Sequence, residues 1–226
     1  MADDQNDQID KYTIAMTVIR FLLNLLARAG LAGVVTYSIW LPIEHYHYWF
    51  SWHVILSTLG YVPIMAESIL LFTGDDGWIK LVSTRTKYIV HGVLITLGTV
   101  CFTAGNIVIS ANTKTDHFST AHGLTGLISM ILCLLSLLIG LATYYSTKLR
   151  NMIKPVKLKF IHNLVGILGY IIGIVSLCYA FYTRWWIFYT EEKSRLAAVI
   201  VTIITTLWTL NGSISSGYNQ IKSIFT

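Results

Sequence analysis

Of the seven histidines in this 226-residue chain, four fall inside apolar runs: His53, His91, His122 and His162. An ionisable ring in an apolar medium is costly, so it is kept there for a partner or a task. Neutral imidazoles can ligate a metal. With no thiolate or carboxylate nearby to complete a tetrahedral zinc site, they suit the axial positions of a planar haem. One such histidine taken alone is as well explained by a hydrogen bond to a neighbouring helix. Cys101, Cys133 and Cys178 lie far apart inside apolar stretches and form no CxxC or CxxCH motif, which argues against covalent haem attachment and for buried core thiols.

The elements that carry these histidines follow from composition. Hydrophobic residues make up 54% of the chain and charged residues only 12%, about half the charged share of a soluble domain. Six apolar runs, 14–41, 52–73, 88–110, 121–145, 160–182 and 196–216, are each long enough to cross a bilayer. The predicted fold class is therefore an all-α membrane protein of six transmembrane helices. A cytosolic tail (1–13) precedes one six-helix domain (14–216), and a second cytosolic tail (217–226) follows it. No internal repeat or Pro/Gly-rich linker marks a second domain. Arg20, Asn24 and Arg28 recur on one face of the first run, where snorkelling to the headgroups is the expectation.

The formal charge of +5 sits in short connections, a topology signal and not a nucleic-acid surface. Lys80, Arg85 and Lys87 in one connection, and Lys148, Arg150, Lys154, Lys157 and Lys159 in another, place those two on the cytosolic side by the positive-inside rule. The opposite connections carry Tyr46, Tyr48, Trp49, Trp185, Trp186 and Tyr189, an interfacial aromatic belt. Both termini then face the cytosol. The acidic start lacks the basic and short apolar regions of a cleaved signal peptide.

Consecutive helices run in opposite directions, and each of the four histidines lies near the start of its own. His53 and His122 therefore share a luminal depth, and His91 and His162 a cytosolic one. With 1.5 Å rise per residue and a core of about 30 Å, the two levels lie roughly 20 Å apart, room for two stacked cofactors. Two imidazoles fill both axial positions of a haem, which favours electron transfer over oxygen binding. Glycines within the runs, among them Gly92, Gly98, Gly105, Gly123, Gly126, Gly166, Gly169 and Gly173, serve either close helix packing or a flat cofactor.

At this point the chain resembles the cytochrome b561 family of ascorbate-dependent transmembrane oxidoreductases. The resemblance covers nearly all of it, most clearly from Phe50 to about Leu177. Its carriers are Phe50-Ser51-Trp52-His53-Val54, Glu67-Ser68-Ile69-Leu70-Leu71-Phe72, Lys87-Tyr88-Ile89-Val90-His91, Phe118-Ser119-Thr120-Ala121-His122-Gly123 and Lys157-Leu158-Lys159-Phe160-Ile161-His162. It implies that helices two to five form a four-helix core holding two non-covalent b haems. His53 with His122 would ligate the luminal haem iron, and His91 with His162 the cytosolic one. It further implies cytosolic ascorbate as donor, monodehydroascorbate radical or ferric iron as luminal acceptor, a homodimer, and an endoplasmic-reticulum or vesicle membrane.

Ascorbate is an anion, so a cationic vestibule beside the cytosolic level would aid its capture. Lys87 and Lys159, within one turn of His91 and His162, are the main candidates, with Arg150 beside them. The chain departs from the family where Thr84 and Tyr88 stand at positions usually held by ascorbate-binding cations, and around His122. On the luminal side His117 is the best-placed acceptor contact, with His45, His47, Glu44 and Asp116 near it. Glu67 lies 14 residues after His53 and approaches the cytosolic level, either as a proton carrier or hydrogen-bond acceptor or as a structural carboxyl. Two other readings use the same histidines: a divalent-metal transporter, which calls for carboxylates near the midplane, and a quinol-linked cytochrome b, in which one helix often carries two ligands.

Overall fold

The computed structural model describes residues 2–73, 81–114 and 118–226, with side chains from residue 11 onward. Eight α-helices order the described chain: α1 (Ala2–Glu44), α2 (Tyr48–Leu59), α3 (Ala66–Leu70), α4 (Thr84–Asn112), α5 (Ala121–Tyr144), α6 (Pro155–Ala180), α7 (Arg184–Tyr189) and α8 (Glu192–Phe225). A π-helical turn, Gly60–Met65, joins α2 to α3 and makes them one span. Six helices are long and apolar enough to cross a membrane. The fold is all-α, and no strand occurs among the described residues.

Helix ends lie where local chemistry sets them, and that shifts the predicted bounds. Ser83 caps α4 by accepting from Thr86 N–H, so this helix starts four residues before its apolar run. Thr120 does the same for α5 through Gly123 N–H, and Pro155 opens α6. The second span starts earlier than its apolar run, at Tyr48, and closes at Leu70. There the amide and hydroxyl of Thr73 both turn back to the Leu70 carbonyl. The last helix runs on to Phe225, well past its apolar stretch.

Pro63 explains the π turn. Proline lacks an N–H and its ring crowds the carbonyl four residues back, so a regular α-helix cannot pass through it undisturbed. The wider turn absorbs the defect by inserting one extra residue.

The helices neighbour one another in the closed order α4, α2, α1, α8, α6, α5 and back to α4. Inside lie Val62, Met65, Leu70, Phe102, Cys133, Tyr170 and Ile174. Outside, large apolar residues such as Leu138 (66% exposed) and Leu207 (65%) face away from the bundle, an exterior suited to lipid chains and not to water. At Asn24 and Arg28 the first span docks through polar contacts to other spans, where snorkelling is the expectation from sequence. Trp208 Nε1–H donates to Asn24 Oδ1 at 2.6 Å, tying α1 to α8. Arg28 Nε meets Glu67 Oε1 at 3.0 Å, tying α1 to α3.

Halfway along the bundle, α4 crosses the π turn with almost no space between backbones. A Cβ added at Gly60 would stand 2.6 Å from the Gly98 carbonyl oxygen, and one at Gly98 would stand 2.9 Å from that of Gly60. On the opposite side Ser129 Oγ donates to the Gly169 carbonyl at 2.6 Å, joining α5 to α6.

Candidate haem-binding site

The helix starts place two imidazole pairs at two levels. His53 on α2 faces His122 on α5, with ring centres 6.1 Å apart and planes at 70°. His91 on α4 faces His162 on α6, 6.2 Å apart and at 88°. These are the pairs that the topology argument groups by depth.

Each ring is held by a carbonyl on the helix beside it. His53 Nδ1–H donates to Gly105 O (3.1 Å), His91 to Ser68 O (3.1 Å), His122 to Ser176 O (2.9 Å) and His162 to Ser136 O (3.0 Å). A carbonyl only accepts, so the proton sits on Nδ1 in all four rings and Nε2 keeps its lone pair. A metal-ligating histidine needs this arrangement, one nitrogen tied back and the other open. With a metal–nitrogen bond of about 2 Å on each side and the nitrogen about 1 Å off the ring centre, two axial imidazoles stand about 6 Å apart. Both pairs match that spacing, so the residues fit a bis-histidyl haem.

Three of the four accepting carbonyls belong to serines whose hydroxyls return the contact. Ser68 Oγ–H donates to the His91 carbonyl at 3.2 Å, Ser176 to that of His122 at 2.8 Å and Ser136 to that of His162 at 3.4 Å. Gly126 and Gly166, one turn after His122 and His162, leave room for this approach: an added Cβ would press Ser176 Oγ at 3.2 Å and Ser136 Oγ at 3.1 Å.

A single spacing generates the whole arrangement. His91 to Gly105, His122 to Ser136 and His162 to Ser176 are each 14 residues apart on their own helices. Fourteen residues make nearly four turns and about 21 Å, so a histidine at one level and a carbonyl at the other share one helix face. His53 and Ser68 are 15 apart, and the π turn between them takes up the extra residue. Serines 68, 136 and 176 and Gly105 were not among the predicted site residues. The sequence signal for them was a small residue recurring four turns after each histidine.

The His53–His122 pair opens into a cavity of about 790 Å³, within the range of small-molecule and cofactor sites. Phe50, Val54, Tyr61, Leu127, Leu177 and Trp185 are among its walls. Between the levels, Tyr61 packs against Phe102 (4.7 Å) and Tyr170 (6.4 Å) and shares a hydrogen bond with Ser129. At the other level the Phe72 ring stands edge-on to His91 at 5.1 Å.

Lys87 in the first turn of α4 and Lys159 in the first turn of α6 lie at the His91–His162 end, half-buried and exposed respectively. Arg150 is exposed in the connection before α6. His117 and Asp116 lie outside the described residues, as does Lys80. His45 stacks on Tyr189 at 4.0 Å and His47 meets Trp49 edge-on at 5.6 Å. Among the described residues no three His, Cys, Asp or Glu side chains gather into a metal cage. Glu67 is engaged by Arg28, with both carboxylate oxygens within 3.3 Å of Nε.

Comparison with known proteins shows the family. The family model described as eukaryotic cytochrome b561 matches residues 52–187, more than half of the chain. A mouse (Mus musculus) protein named Transmembrane reductase CYB561D2 is 29% identical over 178 residues, 77% of this chain and 79% of its own length. The human (Homo sapiens) protein of the same name is 28% identical over the same shares. A mouse protein named Probable transmembrane reductase CYB561D1 is 25% identical over 60% of each chain. No solved structure matches. The chain is a multi-pass membrane protein and belongs to the eukaryotic cytochrome b561 family, whose cofactor is haem b.

Proposed function

We propose that this protein is a di-haem b transmembrane oxidoreductase that carries electrons from cytosolic ascorbate to monodehydroascorbate radical or ferric iron on the luminal side. The observation that supports it most is the pair of imidazole pairs, each about 6 Å apart with Nδ1 tied to a carbonyl and Nε2 open. His53 with His122, and His91 with His162, would hold the two haem irons. Haem b bound at each level would supply one-electron redox chemistry, and two histidines on each iron would favour electron transfer over oxygen binding.

The rest of the chain orients and insulates. The carbonyls fix each ring and sharpen its basicity. The packed aromatic rings of Tyr61, Phe102 and Tyr170 fill the space between the levels and exclude water. Lys87, Lys159 and Arg150 give the cytosolic end the positive field that draws in an ascorbate anion, and His117 serves the luminal acceptor. The basic connections put both termini in the cytosol, in an endoplasmic-reticulum or vesicle membrane, with a second copy of the chain as partner. A divalent-metal transporter fits less well, because Glu67, the carboxylate it would need, already neutralises Arg28.

The test is a reduced-minus-oxidised spectrum of the purified protein, with ascorbate as reductant and dithionite as endpoint. Two b haems per chain, substantially reduced by ascorbate, are expected. Two haems reducible only by dithionite would remove ascorbate as donor, and a colourless protein would end the reading.

A further inference from the structure

The cavity at the His53–His122 level has mostly apolar walls, with polar residues gathered where the helix ends meet it. Ser110 and Thr113 from the end of α4, Ser119 and Thr120 from the start of α5, and Thr183 and Arg184 from the α6–α7 junction contribute its polar rim. Among the described residues that line it, Arg184 alone carries a formal charge.

Two arginines flank α7, and they are used differently. Arg195 is buried, donates from Nη1 to the Thr190 carbonyl at 2.5 Å and lies 5.7 Å from the Tyr182 ring. It holds the turn into α8. Arg184 is exposed, lines the cavity and makes no ion pair with a described residue. Its backbone is nonetheless anchored, because Trp186, two residues on, is buried against Tyr37 (5.4 Å) and Phe181 (5.1 Å). A guanidinium on an anchored backbone at the edge of a mostly apolar pocket suits an anion, and its planar fork suits a carboxylate.

We infer that Arg184 holds a carboxylate at the mouth of the His53–His122 cavity. This inference rests on the di-haem reading above. Two sources share that chemistry: a propionate of the haem held between these histidines, and the anionic group of an arriving acceptor. A propionate must leave the apolar pocket by the rim, and an anionic acceptor must arrive there.

The test compares the full-length purified protein with Arg184→Gln, Arg184→Lys and a control, Lys193→Gln, which removes an exposed charge nearby in sequence but outside the cavity. Haem stoichiometry, the two midpoint potentials and haem loss to apomyoglobin are measured, followed by saturation with ferric citrate and with a cationic ferric chelate. If the carboxylate is a propionate, Arg184→Gln lowers one midpoint potential only, because loss of a nearby cation favours the ferric state. It also speeds loss of that haem about tenfold, the scale of one charge-assisted hydrogen bond, and Arg184→Lys recovers part of both. If the carboxylate is the acceptor's, the potentials stay fixed while the half-saturating ferric citrate concentration rises about tenfold and that of the cationic chelate does not. Unchanged values in every measurement, or the same changes in Lys193→Gln, would overturn the inference while leaving two haems in the unmodified protein. A haem-free unmodified protein would instead end the di-haem reading and take this inference with it.

Discussion

In the α5–α6 pair each histidine is served by a serine of the other helix, with carbonyl and hydroxyl both engaged. In the α2–α4 pair one server is Ser68, but the other is Gly105, which offers a carbonyl and nothing more. The imidazole spacing is nevertheless the same at both levels. The carbonyl contact is the constant one, 2.9–3.1 Å at all four rings, whereas the hydroxyl nearest Nδ1 ranges from 2.8 Å at His91 (Ser68) to 3.5 Å at His53, where it comes from Ser57 on the histidine's own helix. The pairs also differ in register. The α5–α6 pair runs as unbroken α-helix with 14 residues between histidine and carbonyl, whereas the α2–α3 span needs 15 and a π turn around Pro63.

The largest effect should come from the histidines themselves. His53→Ala or His122→Ala should cost one haem per chain, and His91→Ala or His162→Ala the other, read as pyridine haemochrome per protein. Next is register. Deleting Ile64 from the π turn restores a 14-residue spacing and should leave both haems bound, whereas deleting Val100 from α4 turns Gly105 by about 100° relative to His91 and should lose haem. Equal haem loss in both deletions would contradict the role given to the π turn.

Smaller effects test the midpoint and the serines. Gly60→Ala drives a methyl into the Gly98 carbonyl and should destabilise by about 1–3 kcal/mol in detergent unfolding. Gly33→Ala meets open space and should be neutral or stabilising by up to about 1 kcal/mol. Smallest are Ser68→Ala, Ser136→Ala and Ser176→Ala, each expected to cost about 0.6 kcal/mol, the usual worth of an interhelical hydrogen bond in a membrane protein. All three should keep two haems, and haem loss from any of them would mean that the hydroxyl and not the carbonyl does the orienting.

Much of this was legible in the chain. Apolar runs longer than a bilayer crossing allow only helices, because each backbone group must be satisfied within its own segment. Alternating helix direction then groups the four histidines into two pairs. The carbonyl partners were harder to see, since a backbone acceptor leaves no mark in residue type, and Gly105 reads as a packing glycine. The π turn was hidden for a related reason: the consequence of Pro63 depends on what α4 packs against it. Arg28 looked like a snorkelling cation because its partner Glu67 lies 39 residues away on another span. The place of Arg184 on the cavity rim is likewise not visible in the chain, because it follows from where α7 is anchored.

The most direct test of the account is haem content in two double variants. His53→Ala with His122→Ala removes both ligands of one level and should leave one haem per chain with an intact bis-histidyl spectrum. His53→Ala with His91→Ala removes one ligand from each level and should leave none. If the first variant lost both haems, or the second kept one with normal bis-histidyl ligation, the two-level pairing would be wrong.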